Sequence, residues 1–297
     1  EGIQTAYRLA EQARLPAGIN RVILATDGDF NVGMVNHEAL VQLIEQHRAK
    51  GISLTTLGFG GGNYNDQLME QLADKGNGNY AYIDTLQEAR KVLVDELAAT
   101  LETIAGDVKV QIEFNPAQVS EYRLIGYENR LLAREDFNND RVDAGEVGAG
   151  HRGTALYEIT LAGQPTRIEP LRYGAVPAPA EESAAATTME SGTATATAMA
   201  NELAFLKLRY KLPGQTTSTL VSQAIATPTG QESASQRLRF AAAVAAFGQY
   251  LRGGAALNGF TLADIVTLAS GAKGEDASGY RAEFIGLVKL AQALPGV

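Results

Sequence analysis

Arg21-Val22-Ile23-Leu24-Ala25-Thr26, closed by Asp27-Gly28-Asp29, is the stretch on which the fold turns. Six residues, nearly all apolar or β-branched, are too few for a helix and suit a strand buried on both faces; the Asp-Gly pair marks the loop that ends it. Strands of that kind belong to parallel sheets covered by helices. The flanks agree. Ile3, Ala6, Tyr7, Leu9, Ala10 and Ala13 fall at helical spacing, as do Ala39, Leu40, Leu43, Ile44 and His47 within residues 38–50, and Ile52–Phe59 reads as a second buried strand. A helix at about 65–75, a strand at Tyr80–Ile83 and a helix from Thr85 to Leu101 follow. Residues 1–104 are therefore expected to form an α/β domain with a parallel sheet. Three strands are few for such a sheet, and the chain opens at Glu1 on a helical pattern without a start methionine or signal peptide, so further strands are expected upstream.

Past Gly106 the hydrophobic period drops to two. Val108, Val110, Ile112 and Phe114 alternate with polar residues until Pro116, and Tyr122–Tyr127, Thr154–Leu161, Leu203–Leu212 and Thr219–Ile225 continue as strands. Residues 105–229 are expected to be an antiparallel sheet or sandwich. Within them the Ala/Thr/Pro/Ser/Glu-rich stretch 175–201 has too little apolar surface to offset its ordering entropy and is expected to be a flexible excursion. From Ser235 the period is helical again. Phe240, Val244, Phe247 and Leu251 form one stripe, Thr261 and Asp264 a capping box, and Tyr280, Phe284, Leu287 and Ala291 another stripe, so 230–297 reads as a small helical unit.

Composition narrows the function classes. The 297 residues are 45% hydrophobic and 20% charged, as in ordinary globular proteins, and exceed what one core usually serves. A net charge of −9 with no Lys/Arg cluster repels a phosphate backbone, so no nucleic-acid partner is expected. The absence of cysteine excludes disulfides, thiolate metal sites and cysteine nucleophiles. No apolar run approaches the roughly 20 residues of a transmembrane helix.

Asp27 and Asp29 follow the first strand. Ligands of parallel α/β sheets sit beyond the carboxyl ends of the strands, where two carboxylates suit a hard cation such as Mg²⁺. The same residues also read as a strand end and a turn. A second cation candidate is Asp136, Asn138 and Asp140, spaced like the start of a calcium loop, with Asp143 and Glu146 beyond. Arg141 stands where a calcium loop wants glycine and Val147 where it wants glutamate, so a solvated acidic turn is the alternative. Gly58-Phe59-Gly60-Gly61-Gly62 lacks the Gly-Lys-Ser/Thr ending of a phosphate loop and reads as a strand-to-helix connection. His37, His47 and His151 are too scattered to suggest a zinc trio or a Ser-His-Asp set.

Asn20–Gly33, Ile52–Gly60 and Asn77-Gly78-Asn79-Tyr80-Ala81-Tyr82-Ile83-Asp84 resemble the second half of a von Willebrand factor A (VWA) domain. Ile112–Pro116, Tyr122–Glu128 and Gly279–Ile285 resemble the YfbK-type bacterial VWA proteins, which carry a C-terminal domain of unknown function. The resemblance covers nearly the whole chain except 175–201. It implies a metal-ion-dependent adhesion site built from a DxSxS loop, a threonine loop and an aspartate on a later strand. Asp27 matches that aspartate, Asp29 is a weaker addition, and the other elements would precede Glu1. The resemblance further implies a protein-binding adhesion or scaffolding module rather than an enzyme. Its Mg²⁺ or Mn²⁺ would be held in the full-length protein, at the bacterial cell envelope, periplasmic or anchored through an N-terminal segment. The alternative is a Mg²⁺-dependent hydrolase using Asp27 and Asp29, against which stands the lack of a nucleophile–base set nearby. A purely structural role is the third reading.

Overall fold

The expected alternation of helix and strand is present at the start of the chain: α1 (Gly2–Gln12), β1 (Arg21–Thr26), α2 (His37–Ala49), β2 (Ser53–Phe59), α3 (Asp66–Lys75) and β3 (Tyr80–Ile83). A computed structural model describes residues 2–16, 18–27, 37–61, 64–168, 201–228 and 234–294. Asp29 lies outside them, as does the stretch 175–201 apart from Asn201. The three strands pair in parallel in the order β1-β2-β3, with Val22 beside Leu54 and Thr56 beside Tyr80. Central β2 is buried from Leu54 to Gly58, as a strand covered on both faces must be. On one face Tyr7, Leu40, Ile44 and Leu72 from the helices close over Val22, Ile52 and Leu54. On the other, Val92 packs against Leu57 and Ile83. The two buried threonine hydroxyls of β2 are satisfied: Thr56 Oγ1 donates to Met69 O at 2.9 Å and Thr55 Oγ1 accepts from Arg21 Nη1 at 2.7 Å.

The single helix expected over Thr85–Leu101 is interrupted. Thr85 caps α4 (Leu86–Arg90) by accepting from Glu88 N at 3.1 Å, a π-turn occupies Lys91–Asp95, and α5 (Leu97–Leu101) follows. No glycine or proline lies in that stretch to signal the break.

The antiparallel strands form two sheets. β6 (Gly145–Gly148), β4 (Thr103–Phe114), β8 (Glu202–Lys211) and β9 (Thr219–Ala226) make one, in that order, and β5 (Val119–Ile125) pairs with β7 (Leu156–Leu161) in the other. β6 occupies part of the stretch where an acidic turn was the expectation. Four residues containing two glycines and one glutamate carry no strand signal, and the pairing with β4 supplies it. The chain divides into two compact units that interleave in sequence: 1–112, 132–153 and 206–223 form the first, and 113–131, 154–205 and 224–297 the second.

Three helices close the second unit: α6 (Gln236–Leu251), α7 (Leu262–Gly271) and α8 (Tyr280–Ala293). The capping box is present, with Thr261 N donating to Asp264 Oδ2 at 2.8 Å and Asp264 N to Thr261 Oγ1 at 3.2 Å. The buried stripes differ from the expected ones. On α6 Ala243 is fully buried while Val244 and Leu251 are exposed, and on α8 Ile285 and Val288 are buried while Leu287 is exposed. A small residue lets helices approach closely, so alanine takes the contact position that a count of large side chains assigns to its neighbour. Phe284 meets Phe240 and Phe247 edge-on, at 5.5 and 5.8 Å.

Candidate functional site

Three parallel strands end side by side, and their carboxyl ends present Asp27 after β1, Gly60 after β2 and Asp84 after β3. Asp27 is exposed. Gly60 has φ +88°, the left-handed region that favours glycine, and a Cβ placed on it would lie 3.7 Å from Asp27 Cβ. The two residues are thus neighbours at the crest of the sheet. Tyrosines hold that crest in shape. The Tyr82 hydroxyl donates to Gly60 O, the Tyr64 ring packs on Tyr82 at 5.2 Å, and Tyr64 covers Gly58 so closely that any side chain there would collide with it. Tyr80 donates its hydroxyl to Asp66 in the first turn of α3, whose cap is Asn65 accepting from Leu68 N at 3.0 Å. Gly58 and Phe59 end β2, Gly60 and Gly61 follow it, and the ring over Gly58 leaves no phosphate cradle at that position. Among the described residues no group of three Asp, Glu or His side chains converges around Asp27. These residues supply one ligand and do not by themselves complete a cation site, which for Mg²⁺ needs six oxygens.

The described residues that do converge are Asp107, Asp143 and Glu146, each of which brings one carboxylate oxygen to within 4.8 Å of those of the other two. β4 makes this possible. Its register with β6 shifts between Ala105 and Val108, and Asp107 takes φ +49° there, a conformation that aspartate tolerates. Asp107 accepts from Ala144 N at 3.1 Å and from Lys211 Nζ at 2.5 Å. Asp143 pairs with Arg48, which also donates to Asn77 Oδ1 at 3.2 Å. Burial, followed by repulsion from Asp143, Asp107 and Asp74, pushes the Glu146 carboxyl up to about 8, with Arg48 opposing. Burial and neighbouring like charge thus both disfavour its ionised form. A carboxyl so poised can exchange a proton, and it can equally be one end of a structural ion-pair network.

The five residues of the calcium-like stretch are thus divided. Asp143 and Glu146 meet Asp107. Asp140 turns to Ser218, whose hydroxyl and amide bond its carboxylate at 2.6 and 3.2 Å and hold it below the usual carboxylate range, with Arg209 at 3.4 Å. Asp136 sits in a 3₁₀ turn, Arg134–Asn138, anchored by buried Phe137, and Asn138 is exposed. The carbonyls of Asp136 and Asn139 accept from the Lys109 ammonium, at 3.2 and 2.5 Å, and that of Asp140 from Lys211 at 2.7 Å. The positive charges this loop wraps are lysines of β4 and β8.

Periodicity and spacing do not single out Asp107, Lys109 or Lys211. The one local signal is the break in the alternation of β4 at Gly106-Asp107. His47 is buried, stacks on Tyr7 at 4.0 Å with rings nearly parallel, and lies 3.3 Å from the Glu11 carboxylate; burial lowers its pKa. In the second unit a hollow of about 330 Å³ is lined by Glu121, Arg123, Glu158 and Arg167, but its charges are satisfied: Arg123 bonds Glu158 at 2.6 Å, and Glu121 accepts from the amides of Arg167 and Ile168 at 3.0 and 2.8 Å.

No helix among the described residues is long and apolar enough to cross a membrane. Compared with known proteins, the chain is 47% identical over 296 residues to the uncharacterized protein YfbK of Escherichia coli strain K12. That match covers 100% of this chain and 48% of the relative, so the chain spans about half the length of the curated protein it matches. A solved structure titled von Willebrand factor type A, from Catenulispora acidiphila, aligns with a TM-score of 0.40 at 15% identity, over 94% of this chain and 61% of that one. A likeness that loose carries no functional weight. The family model described as uncharacterized protein YfbK, C-terminal, matches residues 99–294, and the chain belongs to that family.

Proposed function

We propose that this chain is part of a VWA-type protein-binding module in which Asp27 is one ligand of a divalent cation, Mg²⁺ or Mn²⁺, held in the full-length protein. The observation that carries the proposal is the exposed Asp27 carboxylate at the carboxyl end of β1, beside the side-chain-free Gly60, on a parallel sheet. The cation would supply an open coordination position that an acidic side chain of a protein partner fills. Asp27 binds and orients it; Gly60 keeps the approach clear; Tyr82, through its bond to Gly60 O, fixes the loop between β2 and α3. Asp29, two residues on, is the weaker candidate. The remaining oxygens would come from residues that are not part of this sequence. In this reading the module is not an enzyme and works at the cell envelope, both of which rest on the family resemblance.

The convergence of Asp107, Asp143 and Glu146 is read instead as a structural ion-pair network, because Lys211 already bonds Asp107 and Arg48 already pairs with Asp143.

The experiment that separates binding from catalysis uses the longer protein, with Mg²⁺ or Mn²⁺, incubated with ATP or p-nitrophenyl phosphate. The binding reading expects no turnover above an EDTA control. Metal-dependent turnover that disappears in Asp27→Ala would favour the hydrolase instead.

A further inference from the structure

Among the described residues β9, Thr219-Leu220-Val221-Ser222-Gln223-Ala224-Ile225-Ala226, is the outer strand of its sheet, and all of its residues except Ile225 are exposed. Edge strands of soluble proteins are usually protected by charge, proline or a glycine bulge. This one contains none of them.

Its hydrogen-bonding valence can be assigned. Thr227 N donates to Asn201 O, at the foot of β8, at 2.8 Å. Residues of a strand direct their N–H and C=O alternately to one side and the other, so the odd-numbered residues of β9 face β8. Leu220, Ser222, Ala224 and Ala226 then direct theirs outward, where no other strand of the described residues lies.

We propose that this edge pairs antiparallel with β9 of a second copy of the chain, joining two sheets across a two-fold axis. Such an axis, perpendicular to the sheet, sets each residue opposite one of the same parity. One register satisfies every outward group: Leu220 opposite Ala226 and Ser222 opposite Ala224, each pair exchanging two N–H···O bonds. It also sets Val221 against Ile225, a β-branched pair, and Gln223 against Gln223 on the axis, at the closer-spaced positions without hydrogen bonds. Sliding by two residues loses this match, setting Val221 against Gln223 and taking Ala226 past the strand end. With no charge on the strand, no like charges meet along the seam itself. A contact of one strand on each side falls short of the roughly 1,200–2,000 Å² typical of stable interfaces, so the dimer is reversible.

The chain contains no cysteine, which makes the register directly testable. Gln223→Cys brings two sulfurs together across the axis at the spacing a disulfide requires, whereas Ser222→Cys faces Ala224. Under mild oxidation Gln223→Cys should yield roughly fivefold more covalent dimer than Ser222→Cys at equal concentration. Sedimentation velocity should show the wild-type chain shifting from monomer to dimer with concentration, and Ser222→Pro, which removes one outward amide while leaving the bonds to β8, should weaken that equilibrium about tenfold with an unchanged circular dichroism spectrum. A wild-type chain that stays monomeric at several hundred micromolar would overturn the proposal. So would equal cross-linking of the two cysteine variants, or a dimer insensitive to Ser222→Pro but lost in Leu287→Lys on exposed α8.

Discussion

β2 and β4 occupy the same topological place, each flanked by a strand on both sides, yet different forces hold them. β2 is buried throughout its middle by Leu54 and Leu57, its two threonines bonded to Arg21 of β1 and to the Met69 carbonyl of α3, with helices over both faces. β4 is bulged and partly exposed, and its one polar group that is deeply buried, Lys109, is roofed by the carbonyls of the 134–143 loop. Around it run Lys211–Asp107, Arg209–Asp140 and Arg48–Asp143. The apolar strand gains from water exclusion, which is indifferent to pH and strengthened by salt. The charged strand is held by groups that titrate and screen. One sheet centre should therefore respond to solution conditions and the other should not.

The largest break in this contrast is expected from Leu54→Ala. Leu54 is fully buried, and removing its side chain opens a cavity worth about 3 kcal/mol of stability. Urea unfolding should show that loss undiminished between pH 5 and pH 8. A loss that varies strongly with pH would mean that the parallel sheet is not the apolar element described. Lys109→Ala comes next. It leaves the carbonyls of Asp136 and Asn139 without their donor and should cost about 2 kcal/mol, read in the same titration and accompanied by faster proteolysis within 134–143. Stability unchanged in this variant would show that the loop rests on Phe137 alone.

The smallest effect sharpens the electrostatic side. Folding raises the Glu146 carboxyl to about 8, whereas in the unfolded chain it titrates near 4.3. Between those values the folded state holds a proton that the unfolded state has lost, so stability declines as pH rises through the window and is level above and below it. Because the side chain is only half-buried, the decline is discounted to roughly 1–2 kcal/mol. Thermal midpoints measured from pH 4 to pH 9 should fall for the wild type and flatten in Glu146→Gln. Parallel curves would remove Glu146 from the network.

The same contrast explains what could be read from the residues alone. β1, β2 and β3 announce themselves through short apolar runs closed by glycine or aspartate, because each is specified by its own side chains meeting a covering helix. Thr261 and Asp264 form their capping box within one turn, so spacing suffices. Asp107, by contrast, meets Lys211 across 104 positions and Arg48 meets Asp143 across 95, and no periodicity carries such pairings. β6 exists only because β4 pairs with it, and the buried stripe of α6 runs through Ala243 because packing distance outweighs side-chain size. Asp27 was legible because a carboxylate placed directly after a parallel strand stands at the crest of the sheet; the expected burial of β1 on both faces is not met, since β1 is the outer strand of the described sheet, with Val22 buried but Ile23 and Ala25 exposed.

Whether that carboxylate binds a metal is decided by calorimetric titration of Mn²⁺ into the longer protein and into its Asp27→Ala variant, with the 297-residue chain as the third sample. Binding by the longer protein, at least about 100-fold weaker in Asp27→Ala and not detected in the 297-residue chain, is the expected result, because one carboxylate contributes essential affinity but cannot alone fix the coordination shell. An affinity unchanged by Asp27→Ala would contradict the assignment, and so would tight binding by the 297-residue chain that survives the loss of Asp27.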